Sequence, residues 1–390
     1  MHRITRLAAA TATVLAAVAV CAPSTSAAAS TSAASPADAG HPTGGHHAVF
    51  VQTDNPAGNQ VIAYHRGDDG LLTRAGDYDT GGLGGVLDGS VVDHLASQGS
   101  LTYDARHGLL YAVNAGSDSV TVFAVDGDRL ERRQTVGSGG RFPVSVAVHD
   151  DVVYVLNALD GGSVQGFRVR EGRLERQDGW NRCLGLDPDA VPQFTNTPGQ
   201  VGFTADGSRL VVTTKANGNS LAVFRLDREG APAQAPVVTV LPGAVPFAFV
   251  PNGRDGLFVT QAGPNALSTI AIRPDGSAEQ QAFAATGQAA TCWVVAVDGL
   301  LYTSNAGSAT VSGFRPGDGG RQLTALGNTP TDPGTVDAAA SVTEAGRYLY
   351  VQTGGNGIVD EFAVGREGSL TAIGSVTVPD AVGGEGIVAL

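Results

Sequence analysis

Lys215 is the only lysine among 390 residues, and a lone amine in an otherwise arginine-based cation set is a natural start for a search for chemistry. In a partly desolvated channel it could hold a carboxylate or act as a base of lowered pKa. At the head of Lys215-Ala216-Asn217-Gly218-Asn219 it reads equally well as a solvated loop residue. Asp337 and Glu385 each open a short apolar stretch near the end of the chain. As a pair they could serve as general base and electrostatic partner, or as two ligands of a calcium ion; bonding to backbone N–H groups is the alternative. Beyond that calcium, no cofactor is expected. Lys215, Asp337 and Glu385 form the candidate catalytic set. Gln98, Arg141, Gln200, Trp293 and Asn114 form the candidate ligand-binding set: amides for a carbonyl, a guanidinium for an anion, an indole for stacking. Each has a plain structural reading, as inter-blade bond, surface ion pair, turn cap or core residue. His94 is a further candidate base.

Other chemistry is excluded by pattern. No His-Glu-x-x-His helix, Cys-x-x-Cys pair, Gly-x-Ser-x-Gly elbow or phosphate-cradling glycine loop is present. The net charge of −13, with no basic stripe, argues against nucleic acid or an anionic membrane as partner. A small molecule and a monomeric protein are expected.

The elements that must position these residues are repeats. A phrase of two apolar stretches around a turn recurs about seven times after His47. Its landmarks are Gln52, Asn114, Asn157, Thr214, Gln261, Asn305 and Thr353, at spacings of 43 to 62 residues. Alternation of period two, as in Ser119-Val120-Thr121-Val122-Phe123-Ala124-Val125, marks strands. Asp126-Gly127, Asp206-Gly207, Asp275-Gly276 and Asp298-Gly299 supply hairpin turns. The period predicts an all-β, seven-bladed β-propeller with four strands per blade. The first repeat lacks an innermost strand and residues 384–390 look like one with nothing after it. The C-terminal strand is therefore expected to complete the first blade and close the ring. Innermost and second strands are antiparallel, so the start of one and the end of the other share a face. On that face Gln98, Gln200, Trp293, Asp337 and Glu385 should meet Asn114 and Lys215 at the channel mouth.

Outside the repeats, residues 1–28 read as a signal peptide: basic His2, Arg3 and Arg6, an apolar run to Val20, and small Ser26-Ala27-Ala28. Residues 29–46 read as a disordered linker rich in Ala, Ser, Thr, Pro and Gly, and residues 47–390 as the propeller. Secretion to the extracellular side follows. Cys183 and Cys292 are left in an oxidising compartment, as a disulfide or as two free thiols.

Several phrases resemble the lactonase-type seven-bladed propellers, the group of phosphogluconolactonase and the carboxymuconate lactonising enzyme, and most closely their exported actinobacterial branch. They are Ser97-Gln98-Gly99-Ser100-Leu101, Val113-Asn114-Ala115-Gly116-Ser117, Ser138-Gly139-Gly140, Tyr154-Val155-Leu156-Asn157-Ala158, Pro246-Phe247 and Ala290-Thr291-Cys292-Trp293-Val294. The resemblance covers residues 47–390 and implies opening or closing of a small lactone or organic acid at the channel mouth. It also implies an Arg at the position of Gly199, a Glu at that of Lys215 and a His near Val144, none of which is here. A non-catalytic extracellular ligand- or protein-binding propeller is therefore the alternative.

Overall fold

Seven four-stranded antiparallel sheets stand in a ring, as laid out in a computed structural model that describes residues 47–390. The signal peptide, the linker and their boundaries lie outside the described residues. Among the described residues, no helix is long and apolar enough to cross a membrane.

Each blade runs outward from the axis in chain order. Blade two, for example, has Leu101–Asp104 innermost, then Leu109–Asn114, Ser119–Asp126 and Arg129–Gly137 outermost. The sequence pattern explains the burial pattern. Second strands such as Leu109–Asn114 are buried on both faces because they sit between sheets, whereas Arg129–Gly137 alternates toward solvent. Asp298 and Gly299, with φ of 47° and 79°, form a two-residue turn whose positive dihedrals match the twist of the strands it joins.

Ring closure occurs at blade one. Ile387–Ala389 pairs with Ala48–Gln52 through Val49↔Ala389, Phe50↔Val388 and Val51↔Ile387. The last strand of the chain is thus the innermost strand of the first blade.

Neighbouring blades are stapled by a repeated device. Tyr154 of blade three donates its hydroxyl to the Gly230 carbonyl of blade four at 2.7 Å. Tyr302 of blade six reaches Gly368 of blade seven at 3.0 Å, and Tyr350 of blade seven reaches Gly70 of blade one at 2.8 Å. Each buried ring fills the inter-blade space while its polar tip satisfies a turn carbonyl. Cys292 on the innermost strand of blade six is a free thiol, so the Cys183–Cys292 disulfide considered above does not form. Cys183 ends the outermost strand of blade three, whereas Cys292 lies beside the axis.

Candidate functional site at one mouth of the channel

Two connections between blades are long, residues 80–100 before blade two and residues 184–199 before blade four. They leave outermost strands and return to the axis on the face where innermost strands begin. There they bond to each other: Asp88 N–H donates to Gln193 Oε1 at 3.0 Å, and Phe194 N–H to the Asp88 carbonyl at 3.2 Å.

The first connection ends as a plug. Trp293 Nε1 of blade six donates to the Ser97 carbonyl at 2.6 Å, and Ser97 Oγ donates to Val144 of blade three at 2.8 Å. Gln98 N–H donates to Gly199 before blade four at 3.1 Å. The Gln98 side chain clamps Val294 of blade six, donating to its carbonyl at 3.0 Å and accepting from its N–H at 2.9 Å. Ser145 Oγ of blade three donates to the Gln98 carbonyl at 2.7 Å. Residues 97–99 therefore cross the axis and divide the channel.

Above the plug lies a cavity of about 330 Å³. Its walls include Val92, Phe194, Val245, Phe247 and Ala306, with Asp93, Lys215, Cys292 and Trp293 as the groups able to do chemistry. Below it, a second cavity of about 340 Å³ is lined by Gln98, Gln200, His149 and Phe203. Ala96 lines the first and Gln98 the second.

Lys215 has a left-handed backbone (φ 50°) and is 1% exposed. Its ammonium donates to the carbonyls of Ala96 and Phe194, both at 2.6 Å, and to Thr197 Oγ1 at 3.1 Å. It thereby ties the two connections together at the base of the cavity. Burial lowers its pKa to about 8 while the charge of Asp93 pulls the other way, so the amine is still mostly protonated at neutral pH.

Asp93 accepts from Leu95 N–H at 2.9 Å and Ser97 N–H at 3.2 Å. Burial raises its carboxyl to about 6, opposed by the backbone N–H groups of Ala96 and Leu95, by Lys215 and by a bond from Glu385. Glu385 Oε2 lies 2.8 Å from Ser97 Oγ and accepts from Ser97 N–H at 3.2 Å. Burial, and the neighbouring Asp93, Asp337 and Asp54, push its pKa well up. Asp337 rises to about 7 and Asp54 to about 8, burial leading in both. Four carboxyls too close to ionise together leave Asp93, nearest the Lys215 charge, as the one that ionises first. Among the described residues, no three His, Cys, Asp or Glu side chains converge as a metal centre. The Cys292 thiol is pushed up to about 12 by burial and stays protonated.

Of the candidates from sequence, Lys215 and Trp293 line the upper cavity. Asp337 and Glu385 are buried close to Asp93 but do not line the cavity. Gln98 is not at the start of a strand; its amide is spent in the plug. Gln200 does the same for blade five, donating to Phe249 at 3.2 Å and accepting from it at 2.6 Å. Asn114 is fully buried between blades one and two. It donates to Thr121 Oγ1 at 2.9 Å and accepts from Asn59 Nδ2 at 3.1 Å, so it has no path to the mouth. Arg141 is exposed and paired with Asp160 at 3.1 Å, outside the cavity. His94 lies in the first connection, its pKa lowered by burial. Asp93 escaped the sequence reading because it sits in a connection without strand periodicity. Its neighbour His94 is the residue of that connection that the sequence singles out.

The lactonase family, described as a 7-bladed beta-propeller, matches residues 79–261. Residues 79–261 are thus similar to that family. Among solved structures the chain is similar to a putative 6-phosphogluconolactonase from Bacteroides fragilis. That likeness has 18% identity and a TM-score of 0.68, and covers 90% of this chain and 99% of that one. A putative 6-phosphogluconolactonase from Bacteroides uniformis gives 16% identity and a TM-score of 0.69, covering 86% and 97%. The periplasmic gluconolactonase of Pseudomonas aeruginosa gives 18% identity and a TM-score of 0.65, covering 85% and 96%. No curated protein matches the sequence. At Gly199, where the resemblance implies an arginine, a Cβ would meet the Phe247 carbonyl oxygen at 2.5 Å. The neighbouring strands leave no room there for a side chain.

Proposed function

We propose that the protein is a lactonase-type hydrolase that opens a small lactone in the upper cavity, with Asp93 as general base. The observation that carries this is the carboxyl of Asp93 on the wall of a dead-end cavity, with a pKa of about 6 set by burial and by Lys215. A base whose pKa lies near the working pH is largely ionised yet still a competent proton acceptor. Asp93 takes a proton from water as its oxygen attacks the lactone carbonyl. The ring C–O bond then breaks, and the proton returns to the departing alkoxide. The hydroxy acid so formed ionises and releases a proton to solvent. The Lys215 ammonium offsets the charge developing on the carbonyl oxygen. Its 3.1 Å bond to Thr197, the longest of its three, is the one such an oxyanion would replace. Glu385 and Asp337, held protonated by their neighbours, keep the negative charge on Asp93.

The test is proton release on a lactone panel. kcat/KM should rise with pH with a midpoint near 6, and Asp93→Asn should lower it by about 100-fold or more. Turnover unaffected by Asp93→Asn would refute the assignment. A binding propeller without chemistry is the second reading, favoured by Lys215 having all three N–H groups already bonded. Saturable binding without turnover would decide for it. We also read the protein as exported, on the leader pattern of residues 1–28. An N-terminus beginning near Ala29 in protein recovered from the medium is the expected result.

A further inference from the structure

The upper cavity is unusual in what it lacks. Its walls are Val91, Val92, Val245, Phe247, Ala290 and Ala306, and no arginine is among the residues lining it. The one cation on its wall, Lys215, is committed to Ala96, Phe194 and Thr197. A phosphorylated or polyhydroxylated ligand would leave water without charge-assisted or hydrogen-bonding partners to replace it, which is strongly unfavourable. The apolar character continues onto the rim. Leu83, Val86 and Val91 of the first connection, Val191 of the second and Val382 before the last strand are exposed large aliphatics on this face. Val91 and Val191 reach 81% and 75% exposure. Val91 also lines the cavity, so the apolar wall runs out to its rim.

We propose that the cavity takes a neutral lactone carrying a medium-length alkyl or aryl substituent, and not a sugar lactone or its phosphate. The ring carbonyl faces Asp93, and the substituent lies along Val92, Phe247 and Val91 toward the rim. This rests on the lactonase reading above and adds the substrate class to it. Each methylene buried along that wall strengthens binding by about three- to fourfold.

The experiment is calorimetric binding of γ-butyrolactone, γ-octalactone, γ-decalactone, glucono-δ-lactone and its 6-phosphate to the wild-type protein, with proton release followed in parallel. The expected result is affinity rising with chain length, and the two sugar lactones at least tenfold weaker than γ-octalactone. Val91→Asp, at a position too exposed to affect folding, should weaken γ-octalactone at least threefold at an unchanged melting temperature. Equal affinity across chain length, tighter binding of either sugar lactone, or no saturable binding overturns the proposed class. Chain-length-dependent binding without proton release overturns the hydrolase reading instead and leaves the apolar specificity standing.

Discussion

Asp54 accepts from the Glu385 N–H at 2.7 Å and from the Gln52 amide, yet its carboxyl is still raised to about 8. Burial outweighs both bonds. The consequence for stability has a definite sign. In the unfolded chain such carboxyls ionise near pH 4, whereas the native Asp54 and Asp337 hold their protons to about 8 and 7. Between those limits the native state binds more protons, so stability falls as pH rises. The melting temperature should therefore be highest near pH 4–5 and decline toward pH 8, and Asp54→Asn should flatten that decline. A melting temperature rising from pH 5 to pH 8 would contradict this account of the cluster. The sequence made Lys215 visible as its only lysine, and Asp337 and Glu385 because each opens an apolar stretch. Asp54 and Asp93 were less legible, because a carboxyl in a turn or connection resembles a solvated one until the fold buries it.

The two long connections act as elements in their own right, although neither has regular structure beyond the turn of helix at Gln193–Asn196. Their existence was legible: the two widest landmark spacings, Gln52 to Asn114 and Asn157 to Thr214, contain them. Their path was not, because it depends on side-chain bonds between residues far apart in the chain, such as Gln98 to Val294 and Lys215 to Ala96. Lys215→Met tests this role. It would strand the buried carbonyls of Ala96 and Phe194, at a cost of roughly 1–3 kcal/mol for each unsatisfied group. Hydrogen exchange should quicken in residues 80–100 and 184–199 while the second strands of blades five to seven keep their protection. Uniform loss of protection would show that the lysine supports the whole ring rather than the two connections.

At the scale of the molecule, the seven blades were the most legible feature, since period-two alternation and Asp-Gly turns are local signals and closure is their sum. The tyrosine staples are where that sum can be measured. Tyr350→Phe removes the bond to Gly70 across the closure of blades seven and one and should cost about 1 kcal/mol. Tyr64→Phe removes a buried hydroxyl that has no partner among the described residues and should leave stability unchanged or slightly improved. Equal losses in urea unfolding would argue that packing, not the staple, is being read. The plug at residues 97–99 has a different kind of consequence. With the axis blocked, the upper cavity has a single doorway, and every visitor must leave by the way it came. Traffic is then a queue, and the sign of charge can sort it. A neutral guest arrives over an apolar threshold, whereas an acid formed inside meets the ionised Asp93 on the wall, so the doorway favours departure without any part having to move.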